Sequence, residues 1–463
     1  MILPPEAGPL LQALGPAFTR PTFARFVVLL GAAILTAGRR TVANLLRTAA
    51  PLASGHITTY RRVLSSASWS VIQLACGLTR LVLTLVPADR PAPLVGDDTV
   101  ESHPGRKVYG KARHRDPVRS SHGYTAWRYG RRWVVLAVLV RFPWATRPWA
   151  LPVLVDLYRS EEDDRARRRP HRTPAQVMAT LLRVMLLRFP ERRFVFVGDA
   201  GYGAHELARF ARRHRGRLTL VSKLHPEANL FDPPPPYRGI GRPPVKGARR
   251  PKPSQASAAA ELRTETVAWY GGGERSVGVA HGTGHWYKAG GGLVEIAWVF
   301  VRDQTGTHRD EYFFSTDPGI SPVAMVEAYT GRWNLETTFQ ELRCHLGLET
   351  TRGWCRRTVL RAAPCLFGLY TVVALLYQAL PESKRSCGVD WPGKAGVTFS
   401  DALTAVRRWL RREWVFPQAG GAAAIEELPA PLQGVLFYAL APAAYPHKSA
   451  SVEMRSCSGE FRC

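Results

Sequence analysis

The sequence predicts an α/β protein whose core is interrupted by a β-strand insertion and flanked by helical N-terminal and C-terminal regions. Three observations lead there. Near Pro91 the helical spacing of the first residues gives way to β-branched and aromatic runs of strand length. Those runs follow the order β-β-β-α-β-α-β, with acids at strand ends. A further group of strands separated by glycines then intervenes before helix returns at Ser321-Pro322.

Residues 1 to 88 read as helices broken by Gly38, Pro51 and Gly55. A helix-turn-helix fits Arg39 to Ser66, with His56 to Ser66 as the candidate recognition helix; Thr58, Thr59, Tyr60, Arg61 and Arg62 are able to reach phosphates and base edges. A plain packing domain fits the same pattern. From Pro91, Leu94 to Asp97 reads as a short strand, followed by strands at Trp133 to Val140 and Trp149 to Leu157. Thr173-Pro174 starts a helix with Val177, Leu181, Val184 and Met185 at helical spacing. A buried strand, Phe194 to Val197, ends at Gly198-Asp199; a helix from about Gly203 to His214 and a strand at Leu218 to Val221 complete the core.

Pro233 to Pro236 breaks the pattern, and the basic stretch Gly241 to Lys252 reads as a linker or a DNA-tracking loop. Val267 to Tyr270, Val277 to Ala280, Leu293 to Val301 and Tyr312 to Phe314 form the inserted strands, and residues 359 to about 415 are helical. The expected organisation is a helical DNA-binding region at 1–88 and a core at 89–224 and 316–358. Between and after them come the β-rich insertion, 225–315, and a helical region, 359–463.

Composition narrows the function. The 463 residues are 46% hydrophobic, enough to bury a substantial core, which excludes disorder of the whole chain. With 63 Lys plus Arg against 36 Asp plus Glu, a net charge of +27 favours DNA or RNA over a small acidic substrate as partner. No acid occurs between Glu6 and Asp89, whereas arginines recur from Arg20 to Arg80. Seven cysteines, at 76, 344, 355, 365, 387, 457 and 463, include no Cys-x-x-Cys pair, so neither a zinc site nor a disulfide framework is expected. No secretory signal is apparent. Phe26 to Ala37 is too short to span a bilayer; Pro364 to Leu380, opening on a proline suited to a first helical position, reads as a buried core helix. A soluble cytoplasmic protein with no membrane partner is the expectation.

Three acidic islands stand out in this basic chain: Gly-Asp-Asp-Thr at 96–99, Gly198-Asp199, and the run from Tyr329 to Glu336. Tyr329, Arg332, Glu336 and Arg343 are spaced i, i+3, i+7 and i+14, which on a helix keeps them within an arc of about 60°. That face either ligates a metal and holds phosphates or is a solvated surface with an ordinary Arg332–Glu336 pair. A turn former or helix cap is the lesser alternative for Asp97 or Asp98 and for Asp199. Converging carboxylates are what phosphodiester chemistry with two hard cations requires.

Together, the strand-borne Asp-x-Thr, the strand-Gly-Asp, the β insertion and Tyr-x-x-Arg-x-x-x-Glu followed by a basic residue resemble the DDE transposases of the insertion-sequence type, the branch with a Tyr-Arg-Glu-Lys signature (insertion sequence 4-like and 701-like). The resemblance covers about residues 91 to 355. It implies an RNase H-like core, cleavage at element ends and strand transfer into target DNA, Mg²⁺ as cofactor (two ions, with Mn²⁺ able to substitute), and a homodimer on paired terminal inverted repeats, nucleoid-associated in the cytoplasm. By the same resemblance Asp97, Asp199 and Glu336 would be metal ligands, with Asp98 the alternative first ligand. Tyr329 and Arg332 would contact phosphates near the cut, and Arg343 takes the lysine position with a different donor geometry. Tyr312 is the nearest candidate to stack on a flipped base, although a strand aromatic also serves as core. Arg106 and Lys107 are able to reach the DNA backbone or to be surface charge. A metal-dependent nuclease without strand transfer, or a DNA-binding protein derived from such an element, are the other readings; the three retained acids argue against the latter.

Overall fold

The computed structural model describes residues 3–436 apart from 117–118, 122, 238, 240–242, 386–391, 393, 419–424, 426 and 434–435. Cys387, Cys457, Cys463, the first two residues of the basic 241–252 stretch and the end of the 359–463 region therefore lie outside the described residues.

Eleven strands form one sheet: β1 (Ala92–Ser102), β2 (Ala112–Arg115), β3 (Trp127–Val140), β4 (Trp149–Tyr158), β5 (Phe194–Gly198), β6 (Leu218–Lys223), β7 (Leu230–Phe231), β8 (Arg263–Ala268), β9 (Glu274–Lys288), β10 (Gly292–Asp303) and β11 (Glu311–Ser315). β3 lies antiparallel to both β4 and β1; β1 is parallel to β5, and β5 to β6. Three antiparallel strands followed by two parallel ones, reached through the Pro174–Arg188 and His205–Arg213 helices, are the RNase H-like arrangement. Thr173 begins the first of these helices with a capping box, its hydroxyl accepting from Gln176 N while the Gln176 side chain accepts from Thr173 N.

The insertion does not stand apart from this core. β11 pairs antiparallel with β6, β10 with β11, and β9 with β10, so the same sheet continues outward through β8 and β7. The β9–β10 hairpin turns on Gly290 and Gly292, whose φ values of 73° and 77° an L side chain rarely adopts. β2, β7 and the Glu161–Ala166 and Pro253–Ala258 helices go beyond the sequence expectation; they are short, and two to six residues give too few periods to register as a pattern.

Two sequence expectations are corrected. Pro364 does not open its helix: the helix runs Arg356–Ala379 with Pro364 inside it and Cys355 as N-cap. A proline there forfeits one backbone hydrogen bond, a loss offset by burial of Val359, Ala363, Leu366 and Phe367 on the same helix. By length and composition this helix is apolar enough to cross a membrane, yet most of its apolar window is buried, with Thr371 donating to Pro152 O of β4. The other correction concerns β1, which extends to Ser102 because β3 pairs with it past the end of β5.

The helices of residues 1–88 interlock with those near the other end of the described chain. Arg407, fully buried on the Phe399–Leu410 helix, donates to Ile34 O and Thr36 O at the end of the Arg20–Leu35 helix. Arg361 stacks on Trp69 at 4.6 Å and donates to Val63 O and Trp69 O.

Candidate active site

β1 alternates its side chains between the two sheet faces, and this separates the neighbouring aspartates. Asp98 turns towards Arg132, which holds it with two bonds of 2.7 and 2.6 Å, and lies 3.5 Å from the Tyr202 hydroxyl. Gly96 shares that face and has to be small, since a Cβ there would stand 2.5 Å from Met178 and Phe196. Asp97 turns the other way, as do Thr99 and Glu101, towards the Asn334–Leu346 helix.

The parallel register pairs Gly96 with Gly198. Asp199 therefore follows β5 immediately beside Asp97 on β1, the juxtaposition the strand order predicts. Its Oδ1 accepts from Gly201 N at 2.9 Å, and Ser222 on β6 fixes the turn by donating to Gly198 O and Asp199 O.

The segment bearing Tyr329 to Arg343 is not one continuous helix. It consists of Pro322–Gly331 and Asn334–Leu346, joined through Arg332 and Trp333 by tighter i→i−3 bonds such as Arg332 N→Tyr329 O (3.1 Å) and Glu336 N→Trp333 O (3.0 Å). The join carries Arg332 inward. Its Nη1 lies 2.5 Å from Asp97 Oδ2 and its Nη2 3.1 Å from Glu336 Oε1, so one guanidinium bridges two of the three acids. The solvated-face reading is thereby corrected: Arg332 does pair with Glu336, but it is only 7% exposed.

Tyr329 is also buried, stacked on Phe313 of β11 at 4.3 Å, with the Arg332 guanidinium 5.6 Å from its ring centre. It backs Arg332 rather than facing solvent. Arg343 bonds the Thr99 hydroxyl and lies 3.4 Å from Glu349, so it buttresses β1 two residues beyond Asp97.

Burial dominates the electrostatics. It pushes the Asp97 carboxyl up to about 7, with Arg332 opposing and Asp199 and Asp98 reinforcing the shift. Glu336 is raised for the same first reason, again opposed by Arg332 and reinforced by Asp199. The Asp199 charge thus acts on both of the other acids, and three carboxylates balanced by a single guanidinium are a donor set that fits hard divalent cations. As arranged, no three His, Cys, Asp or Glu groups among the described residues close around one point, because Arg332 occupies the space between two of them. The Nε of Arg332 is buried without a hydrogen-bond partner, a donor still free beside the acids.

The remaining candidates lie elsewhere. Arg106 and Lys107 are exposed in the loop after β1. Tyr312 projects from the opposite face of β11 to Phe313, with its ring 5.0 Å from Phe300 and its hydroxyl 2.9 Å from Ser257 Oγ, so it packs within the insertion rather than against the acids. Arg61 and Arg62 are exposed on the Ile57–Ser65 helix, Arg62 lining a cleft of about 250 Å³ with Arg25, whereas Tyr60 is buried and tied to Ser54 O. Residues missed from the sequence are Arg132 and Tyr202 around Asp98, and Glu349 beside Arg343. The alternation of β3 against β1, once paired, is the signal that places Arg132 on the same face as Asp98.

The chain matches the family described as DDE superfamily endonuclease over residues 13–276, more than half of its length, a span that holds Asp97 and Asp199 and ends before Glu336. No curated protein matches it. Among solved structures, a piggyBac transposase synaptic complex with hairpin DNA is similar at 11% identity and a TM-score of 0.38, covering 94% of this chain and 81% of that one. By the family match, this chain belongs to the DDE superfamily endonucleases.

Proposed function

We propose that the protein is a DNA transposase that cuts at the ends of a mobile element and joins them to target DNA, with Asp97, Asp199 and Glu336 as its metal-binding triad. One observation carries this reading: Arg332 bridges Asp97 and Glu336 beside the strand-end Asp199, which gathers three acids from distant parts of the chain in an RNase H-like sheet. Held by these carboxylates, Mg²⁺ or Mn²⁺ would activate a water or 3′-hydroxyl and stabilise the leaving oxygen.

The protein's own groups prepare that step. Arg332 neutralises two acids in the DNA-free state, and the metal that takes its place would free the guanidinium to meet a phosphate oxygen. Tyr329 fixes its guanidinium from behind, and Arg343 holds Thr99 and thereby the course of β1. Tyr329, Arg332 and Glu336, with Arg343 in the lysine position, are the insertion-sequence signature in this reading. Residues 1–88 bind element ends, the 225–315 insertion frames the site, and 316–358 brings Glu336 to the core. The working form is a homodimer on paired ends, acting in the nucleoid of the cytoplasm.

The test is cleavage and joining by Glu336→Gln on DNA carrying the repeats that flank the gene. Loss of both activities with DNA binding retained supports the assignment. Wild-type activity removes Glu336 from the mechanism, and wild-type cleavage without joining reduces the protein to a nuclease.

A further inference from the structure

The β2–β3 hairpin presents a surface that the acids do not use. Along β2 the side chains alternate: His114 is buried, and Arg113 and Arg115 are exposed. On β3, Trp127 and Tyr129 are 48% and 58% exposed. The register pairs Arg113 with Tyr129 and Arg115 with Trp127, so all four share one face. The Arg113 guanidinium already lies 3.8 Å from the Trp127 ring centre.

That face is the one bearing Asp97. Glu101 and Arg131 are register partners joined by an ion pair on the Asp97 side of the sheet, and Tyr129 and Trp127 follow Arg131 at steps of two. From Val135, the partner of Asp97, to Tyr129 is about 20 Å along the strand, a run of several nucleotides.

We propose that Arg113, Arg115, Trp127 and Tyr129 form a platform that holds unpaired bases of a DNA strand leaving the acidic site. Two half-exposed aromatics on one strand face stand about 6.6 Å apart, a separation that suits successive bases of an extended strand better than a stacked duplex. The surroundings supply the backbone's counter-charge: between residues 105 and 130 the sequence has seven Lys or Arg and one acid, Asp116. Large aromatics left exposed in such a basic field are suited to stacking, because every base offers a π face.

This inference rests on the DNA-acting reading above, and its test separates the two. Fluorescence anisotropy with a labelled oligothymidine and with a duplex of equal length, both without divalent ions, would compare the full-length protein with Trp127→Ala/Tyr129→Ala and Trp127→Phe/Tyr129→Phe. The alanine pair is expected to bind the single strand about ten-fold or more weakly, to bind the duplex as before and to melt as before; the phenylalanine pair retains affinity. Unchanged single-strand affinity in the alanine pair overturns the platform, as does an equal loss on both DNAs. Loss of self-association in sedimentation at unchanged single-strand affinity also overturns it, marking a protein interface. A wild-type protein that binds neither DNA defeats the DNA-acting reading itself.

Discussion

Arg332 and Asp97, 235 residues apart in sequence, meet at 2.5 Å between Nη1 and Oδ2 across the gap between β1 and the 329–336 turn. The contact sets a competition. A cation at Asp97 and Glu336 has to displace or accommodate the guanidinium that now bridges them, so Arg332 competes with the metal for both acids.

Arg332→Ala should therefore lower stability as well as cleavage. An exposed i,i+4 pair would cost under about 0.5 kcal/mol, but here Asp97 loses its buried partner, and about 1 to 3 kcal/mol is the scale for a charge-assisted bond that is partly solvent-screened. Added Mg²⁺ should restore part of the melting temperature in this variant by returning positive charge to the carboxylates. Calorimetry with and without the metal checks this; an unchanged melting temperature in its absence would contradict the bridging role.

Asp97→Asn and Asp98→Asn should part company. The first removes the charged partner of buried Arg332 and so costs some melting temperature, but it keeps the fold and DNA binding and abolishes metal-dependent cleavage. The second breaks the two-point hold of Arg132 on the other face, which should lower the melting temperature while leaving much of the activity. Equal loss of cleavage in the two variants would show that the face separation does not decide the ligand.

How much of this was legible in the sequence follows the range of the interaction. Gly96-Asp97 and Gly198-Asp199 announced themselves because a glycine before an acid at the end of an apolar run is a local pattern. The strand order then made the two neighbours. The inward turn at Arg332 was not legible, since helical spacing runs unbroken through Tyr329 to Glu336 and the tightening depends on Asp97, a partner far along the chain. Exposure of Trp127 and Tyr129 was hidden for the opposite reason: strand alternation shows two faces but does not say which one the core covers.

Asp303 predicts a pH dependence away from the active site. Its burial alone would raise the carboxyl, but Thr305 hydroxyl and amide, Thr307 hydroxyl and His308 amide outweigh that and depress it well below the usual range. A depressed folded-state value means that the stability it contributes is fully present above the unfolded pKa of about 3.9 and fades as pH falls towards the folded value. Asp303→Asn should thus lower the melting temperature at pH 7, with the gap to wild type narrowing below about pH 4. A gap independent of pH would mean that packing, and not charge, carries the effect.

The exposed arginines of the Ile57–Ser65 helix offer a cleaner test of the N-terminal region than truncation does. Removing residues 1–88 would strip Arg407 and Arg361 of the carbonyls they bond and expose the surfaces beneath, so weaker DNA binding would report misfolding as readily as the absence of phosphate-binding groups. Arg61→Ala/Arg62→Ala removes two solvent-facing charges and leaves buried Tyr60 and Val63 in place. If both arginines meet phosphates, the slope of log K against log [salt] should shrink by about 0.9 for each phosphate no longer neutralised, with the melting temperature unchanged. An unaltered slope on DNA carrying the element ends would assign end binding to other surfaces, because counterion release depends on how many phosphates the protein neutralises, whatever sequence is read.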